Sequence, residues 1–89
     1  MPSDSWRADD ARFSDQDRAA IAAARRYLEE RRHKPVDGFF RVRRTPGGCE
    51  VRVTFVAGYD NGRPLSYPGG QCTVLFAADG TVTQAVPGP

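Results

Sequence analysis

The sequence predicts a two-layer α+β domain, one N-terminal helix packed on a three- to four-stranded antiparallel sheet. Three observations carry this. An alanine-rich segment over residues 14–33 has apolar residues at helical spacing. Beyond Pro35 the apolar residues alternate with period two, in short runs broken by Gly and Pro. The chain has 89 residues, the size of one small domain.

The helix is predicted from Ser14 to His33. Ser14 is a good N-cap, and Asp17 three positions on completes a weak capping-box variant. Asp15 and Asp17 fall in the first turn, and Arg31, Arg32, His33 and Lys34 fall at the end, so charge complements the helix dipole at both ends. Ala20, Ile21, Ala24, Tyr27 and Leu28 form one apolar stripe, with the stem of Arg31 continuing it. The small residues in that stripe let the helix sit close on a sheet. Pro35 ends the helix by disfavouring helical backbone in the residue before it.

Four strands are predicted: Phe39–Arg44, Cys49–Ala57, Gln71–Ala77 and a short one over Thr81–Val86. Thr45-Pro46-Gly47-Gly48 is the first turn, and Ala78-Asp79-Gly80 is a hairpin turn with glycine supplying positive φ. Pairing Arg44 with Cys49 sets Val42 against Val51 and Phe40 against Val53, all on one face. Phe55 is then placed opposite Val74, Val53 opposite Phe76, and Phe76 opposite Val82. The inner face becomes Phe40, Val42, Val51, Val53, Phe55, Cys72, Val74, Phe76 and Val82. This register puts Cys72 near Ala57 and roughly 26 Å from Cys49, at about 3.3 Å per residue. A disulfide is therefore not expected, and Cys72 at least is expected to be buried as a small hydrophobe.

Residues 1–12 read as a flexible polar tail, with 13–89 as the domain. Trp6 stands out there. Its ring calls either for packing on its own domain or for contact with a partner.

The net charge is +2 and hydrophobic residues make up 39%. No apolar run approaches a membrane span and no apolar stretch opens the chain, so neither a membrane segment nor a secretory signal is expected. Two unpaired thiols then fit the cytoplasm. The charge is uneven. Residues 1–44 hold 11 basic and 8 acidic residues, residues 45–89 only 2 and 3. Twelve of the 13 basic residues are Arg, a bias that fits a GC-rich bacterial source.

No catalytic set, cofactor motif or metal set is expected. His33 is the only histidine, and there is no CxxC. Glu29 and Glu30 are helix neighbours that do not share a face. Gly69-Gly70 lacks the Lys-Ser/Thr of a phosphate loop.

The outer sheet face is more informative. Arg41, Arg43, Arg52, Glu50, Thr54, Phe39, Thr73 and Leu75 point there, with Arg43 opposite Glu50 and Arg41 opposite Arg52. Arginines beside Phe39 and Leu75 suit an acidic partner surface, although a merely solvated face accounts for the same residues. One Phe and a charge of +2 fall short of a nucleic-acid signature. The link Gly58–Gly70 carries Tyr59 and Tyr67, with Asn61-Gly62 as a candidate hairpin tip. Its length suits a binding loop or a self-packed one. The candidate partner-binding residues are therefore Arg41, Arg43, Arg52, Phe39, Tyr59 and Tyr67.

Tyr27-Leu28 late in the helix, Val51-x-Val53-x-Phe55, Pro68-Gly69-Gly70-x-Cys72-x-Val74 and Asp79-Gly80-x-Val82 together resemble the small cystatin/NTF2-like α-β-β-β domains. Within these, residues 19–86 are similar to bacterial NTF2-fold and YrhB-type immunity proteins. The resemblance implies a non-enzymatic, toxin-neutralising binding protein and assigns no individual residue. The residues and the resemblance together predict a protein-binding module, monomeric or homodimeric. The alternative is a small-ligand-binding or enzymatic NTF2-like domain with a pocket between helix and sheet.

Overall fold

The computed structural model describes residues 6–56, 58–65 and 70–87. One helix, α1 (Asp15–Arg32), precedes six strands: β1 (Gly38–Thr45), β2 (Gly48–Phe55), β3 (Gly58–Asp60), β4 (Arg63–Leu65), β5 (Gln71–Ala77) and β6 (Val82–Pro87). Strands β1-β2-β5-β6 form an antiparallel sheet in that order, and β3-β4 form a separate two-stranded ribbon. This is the predicted α+β layout, with the ribbon added.

The helix begins as its sequence dictates. The Ser14 side chain accepts from the Asp17 N–H at 3.1 Å, and the Asp17 carboxylate accepts from the Ser14 N–H at 3.3 Å, a complete capping box. At the other end His33 takes left-handed backbone (φ 56°) and its N–H bonds to the Glu29 carbonyl at 2.8 Å. The chain then returns under the control of two helix side chains. Glu29 Oε2 accepts from the Val36 N–H at 2.9 Å, and Arg25 Nη2 donates to the Val36 carbonyl at 3.2 Å. Both backbone groups of Val36 are thereby satisfied while its side chain is buried.

Ile21, Ala24 and Leu28 are the buried helix residues, with Ala20 and Tyr27 partly buried beside them. They pack on β1 and β2. The core also holds Phe40, Val51, Val53, Phe55, Val74 and Phe76, and Val42, Cys72 and Val82 pack against it, so the predicted inner face is present in full. Phe13, Val36 and Cys49 join it unpredicted.

Sheet register agrees with expectation at β1–β2 (Arg44 with Cys49, Val42 with Val51, Phe40 with Val53) and at Phe76 with Val82. It differs at β2–β5. Val74 faces Val51 rather than Phe55, and Phe76 faces Cys49 rather than Val53. The slide is four residues, an even number, so every side chain keeps its face. Gly48 makes this register possible. A Cβ there would stand 1.9 Å from the Phe76 carbonyl oxygen, so only glycine admits the neighbouring backbone. The slide also shortens the distance between the thiols, since Cys72 is four residues from the partner of Cys49, roughly 13 Å at about 3.3 Å per residue. Both cysteines are free, as expected; Cys49 is buried, while Cys72, expected to be buried, is only half-buried.

The segment before the helix is docked from Trp6 onward. Trp6 and Phe40 exchange two backbone hydrogen bonds, at 3.0 and 2.7 Å, on the outer edge of β1. The Trp6 ring meets Phe13 edge to face, with centroids 5.8 Å apart. Residues 6–12 thus lie against the domain, which answers the Trp6 question in favour of packing on its own fold.

Candidate functional site

The outer face of the sheet is laid out in cross-strand rows by the observed register. One row runs Phe39, Thr54, Gln71; the next Arg41, Arg52, Thr73, Val86; the third Arg43, Glu50, Leu75, Gln84. The two-residue period puts all of these on the face opposite the helix. Arg43 Nε pairs with Glu50 Oε1 at 2.9 Å. Arg41 stands directly opposite Arg52. Like charges directly opposite one another are unfavourable neighbours in a sheet. Among the described residues Arg52 makes no ion pair. Thr54, placed by the sequence on the solvated face, is in fact buried, and its Oγ1 has no hydrogen-bond partner among the described residues.

Phe39 and Tyr59 are brought together by a residue that sequence reasoning passed over. Arg7 lies over the Phe39 ring, 5.7 Å from its centroid, pairs with Asp37 at 3.0 Å, and donates to the Tyr59 hydroxyl. Tyr59 in turn donates to Asp37 at 3.4 Å. Arg7 reaches this place because Trp6 is paired inward at the sheet edge and the next residue must point outward. The sequence held that parity, but nothing in it fixed where the segment docks.

The ribbon carries Tyr59 on β3. Its tip is Asn61-Gly62, both with positive φ (52° and 80°), the predicted hairpin turn. Tyr59 is 52% exposed, and Leu65 on β4 is 46% exposed. Tyr67 lies outside the described residues. Of the six expected partner-binding residues, Arg41, Arg43 and Arg52 share one continuous face, with Phe39 and Tyr59 at its border.

A second feature lies on the helix side. A hollow of about 310 Å³ opens between the C-terminal end of α1 and the β5–β6 half of the sheet. Leu28, Phe55, Cys72 and Ala85 line it, with Arg31 and Arg32 among the lining residues. Arg32 stacks on Phe55 at 4.0 Å and Arg31 lies over Tyr27 at 5.1 Å. Burial pushes the Cys72 thiol above its ordinary value, against a weaker opposite pull from Arg32. No carboxylate is among the described residues lining it.

His33 is exposed at the helix end, as expected of a dipole-compatible surface residue. Among the described residues no group of three His, Cys, Asp or Glu is placed to hold a metal ion, and no helix is long and apolar enough to cross a membrane. No family model matches the chain, and neither the curated proteins nor the solved structures gave a match.

Proposed function

We propose that this chain is a non-enzymatic protein-binding module that takes an acidic partner surface on the outer sheet face, in the manner of a bacterial toxin-immunity protein. The supporting observation is the Arg41–Arg52 pair, set side by side by the β1–β2 register and flanked by Arg43, Phe39 and Leu75. A carboxylate of the partner placed against this arginine row forms charge-assisted hydrogen bonds with the guanidiniums. Apolar Leu75 and Phe39 supply the dry contacts around it, a common arrangement for a hot spot with a polar rim. The immunity reading rests on the cystatin/NTF2-like resemblance, and the cytoplasm is the compartment it suits.

The test is growth rescue. The chain is co-expressed with the product of the reading frame next to its own gene, and rescue is compared with that by a triple variant, Arg41→Ala, Arg52→Ala and Tyr59→Ala. The proposal expects rescue by the wild type and its loss in the variant. Equal rescue by both would move the site off this face, and no rescue by the wild type would remove the immunity reading.

The hollow beside Cys72 supports a second reading, a site for a small apolar anion held by Arg31 and Arg32. Titration with a fluorescent naphthalene sulfonate checks it. Binding should protect Cys72 from alkylation and weaken in an Arg31→Ala variant, whereas unprotected alkylation at saturating probe would eliminate this reading.

A further inference from the structure

The two edges of the sheet differ in a way that bears on assembly. At β1 the edge is already engaged, since Trp6 exchanges hydrogen bonds with Phe40. That strand also carries Arg41, Arg43 and Arg44, so two copies of it would repel. At β6 no further strand is paired on the side away from β5 among the described residues. Its sequence, Val82-Thr83-Gln84-Ala85-Val86-Pro87, has no charged residue, in a chain of which 27% is charged. Proteins that stay monomeric usually guard a free edge with charge, a bulge or a cover. The one irregularity here lies at the start of the strand, where Thr83 is the extra residue and its hydroxyl donates back to the Leu75 carbonyl at 3.2 Å. Gln84 to Pro87 are left uncharged, and Val86 is 40% exposed.

We propose that β6 is the contact with a second copy of this chain, joined as an antiparallel pair about a two-fold axis through Ala85. Such an axis makes the edge its own complement, because each residue meets a residue of the same strand. Ala85 then faces Ala85 on the helix side of the sheet, where two methyl groups allow close approach. Gln84 faces Val86 on the outer side. No like charges meet, which is the electrostatic condition the β1 edge fails. The axis also sets the two hollows lined by Leu28, Phe55, Ala85 and Pro87 next to one another, so apolar surface is covered along with the strand edges. One short edge alone is well below the roughly 1,200 Å² of the smallest specific interfaces. The dimer is therefore weak and concentration-dependent.

Sedimentation velocity over a concentration series tests this. The wild type should move from the 9.8 kDa monomer to twice that mass as concentration rises. Gln84→Lys with Val86→Lys places lysines opposite lysines and should stay monomeric, as should Gln84→Glu with Val86→Glu. An equimolar mixture of the two variants should recover the dimer. The β6 amides of the wild type should also exchange more slowly with solvent at high concentration than at low. A wild type that stays monomeric throughout overturns the proposal, even if it pairs β6 with a foreign peptide. A dimer that persists undiminished in the lysine variant, or β6 exchange that ignores concentration, also overturns it.

Discussion

Replacing Trp6 by alanine tests whether the segment ahead of the helix is part of the fold. The ring is half-buried, packs against the core, meets Phe13 edge to face and lies under the Arg12 guanidinium at 5.1 Å. A fully buried aromatic cut to alanine costs about 3–5 kcal/mol. Half that applies to a half-buried ring, about 1.5–2.5 kcal/mol by the same measure. The edge-to-face pair with Phe13 adds about 0.5–1.5 kcal/mol. The cation above the ring adds less, because Arg12 is largely exposed and already paired with Asp10. These contributions overlap, which places the total near 2–3 kcal/mol. In a domain of this size that lowers the melting temperature by about 10–20 °C. Trp6 is the only tryptophan, so far-UV circular dichroism must follow unfolding in urea rather than fluorescence. Trp6→Phe should recover most of the loss by keeping a ring against Phe13. A Trp6→Ala protein within about 0.5 kcal/mol of wild type, the range of ordinary surface changes, would refute the docking.

Gly48→Ala should cost more than about 2 kcal/mol, because its Cβ would meet the backbone of Phe76 and Ala77. Gly47→Ala, one residue away with nothing within 4 Å, should stay within about 0.5 kcal/mol; urea midpoints of the two compared side by side check this. Thr54→Val removes a buried hydroxyl with no partner among the described residues and keeps its shape, so the urea midpoint should hold or rise. Cys72 gives an alkaline signature. Its folded pKa is raised by burial, so its contribution is full below the unfolded value and is lost as pH rises through the folded value. Cys72→Ala should flatten that alkaline fall in unfolding free energy, and an unchanged slope between pH 8 and 10 would show that the thiol is not its source.

Local signals in the sequence located most elements. Ser14 and Asp17 marked the helix start because a capping box is made within four residues. The alternation in β1 and β2 fixed their mutual register because a two-residue turn leaves no freedom. The β2–β5 register was not legible for a physical reason. An even slide preserves which face each residue takes, so hydrophobic pattern does not distinguish one from another. The deciding interaction is the close backbone approach at Gly48, which a sequence shows only as a glycine beside a turn. Phe13, Val36 and Cys49 escaped the predicted core for a related reason. Phe13 and Val36 lie outside the regular elements, where no periodicity reports on burial, and Cys49 stands at a strand start.

The candidate face shows how core and surface are coupled in so small a domain. Trp6 and Arg7 are neighbours in one extended segment, so anchoring one inward aims the other outward. Arg7 reaches Phe39, Asp37 and Tyr59 only while the Trp6 ring holds its place against Phe13. Arg41 and Arg52 are set opposite one another by the β1–β2 pairing itself. The border of the face therefore depends on a single aromatic anchor, and its middle on the sheet itself. Loss of partner binding on Trp6→Ala would implicate the border, while loss only on Arg41→Ala and Arg52→Ala would place recognition in the arginine row.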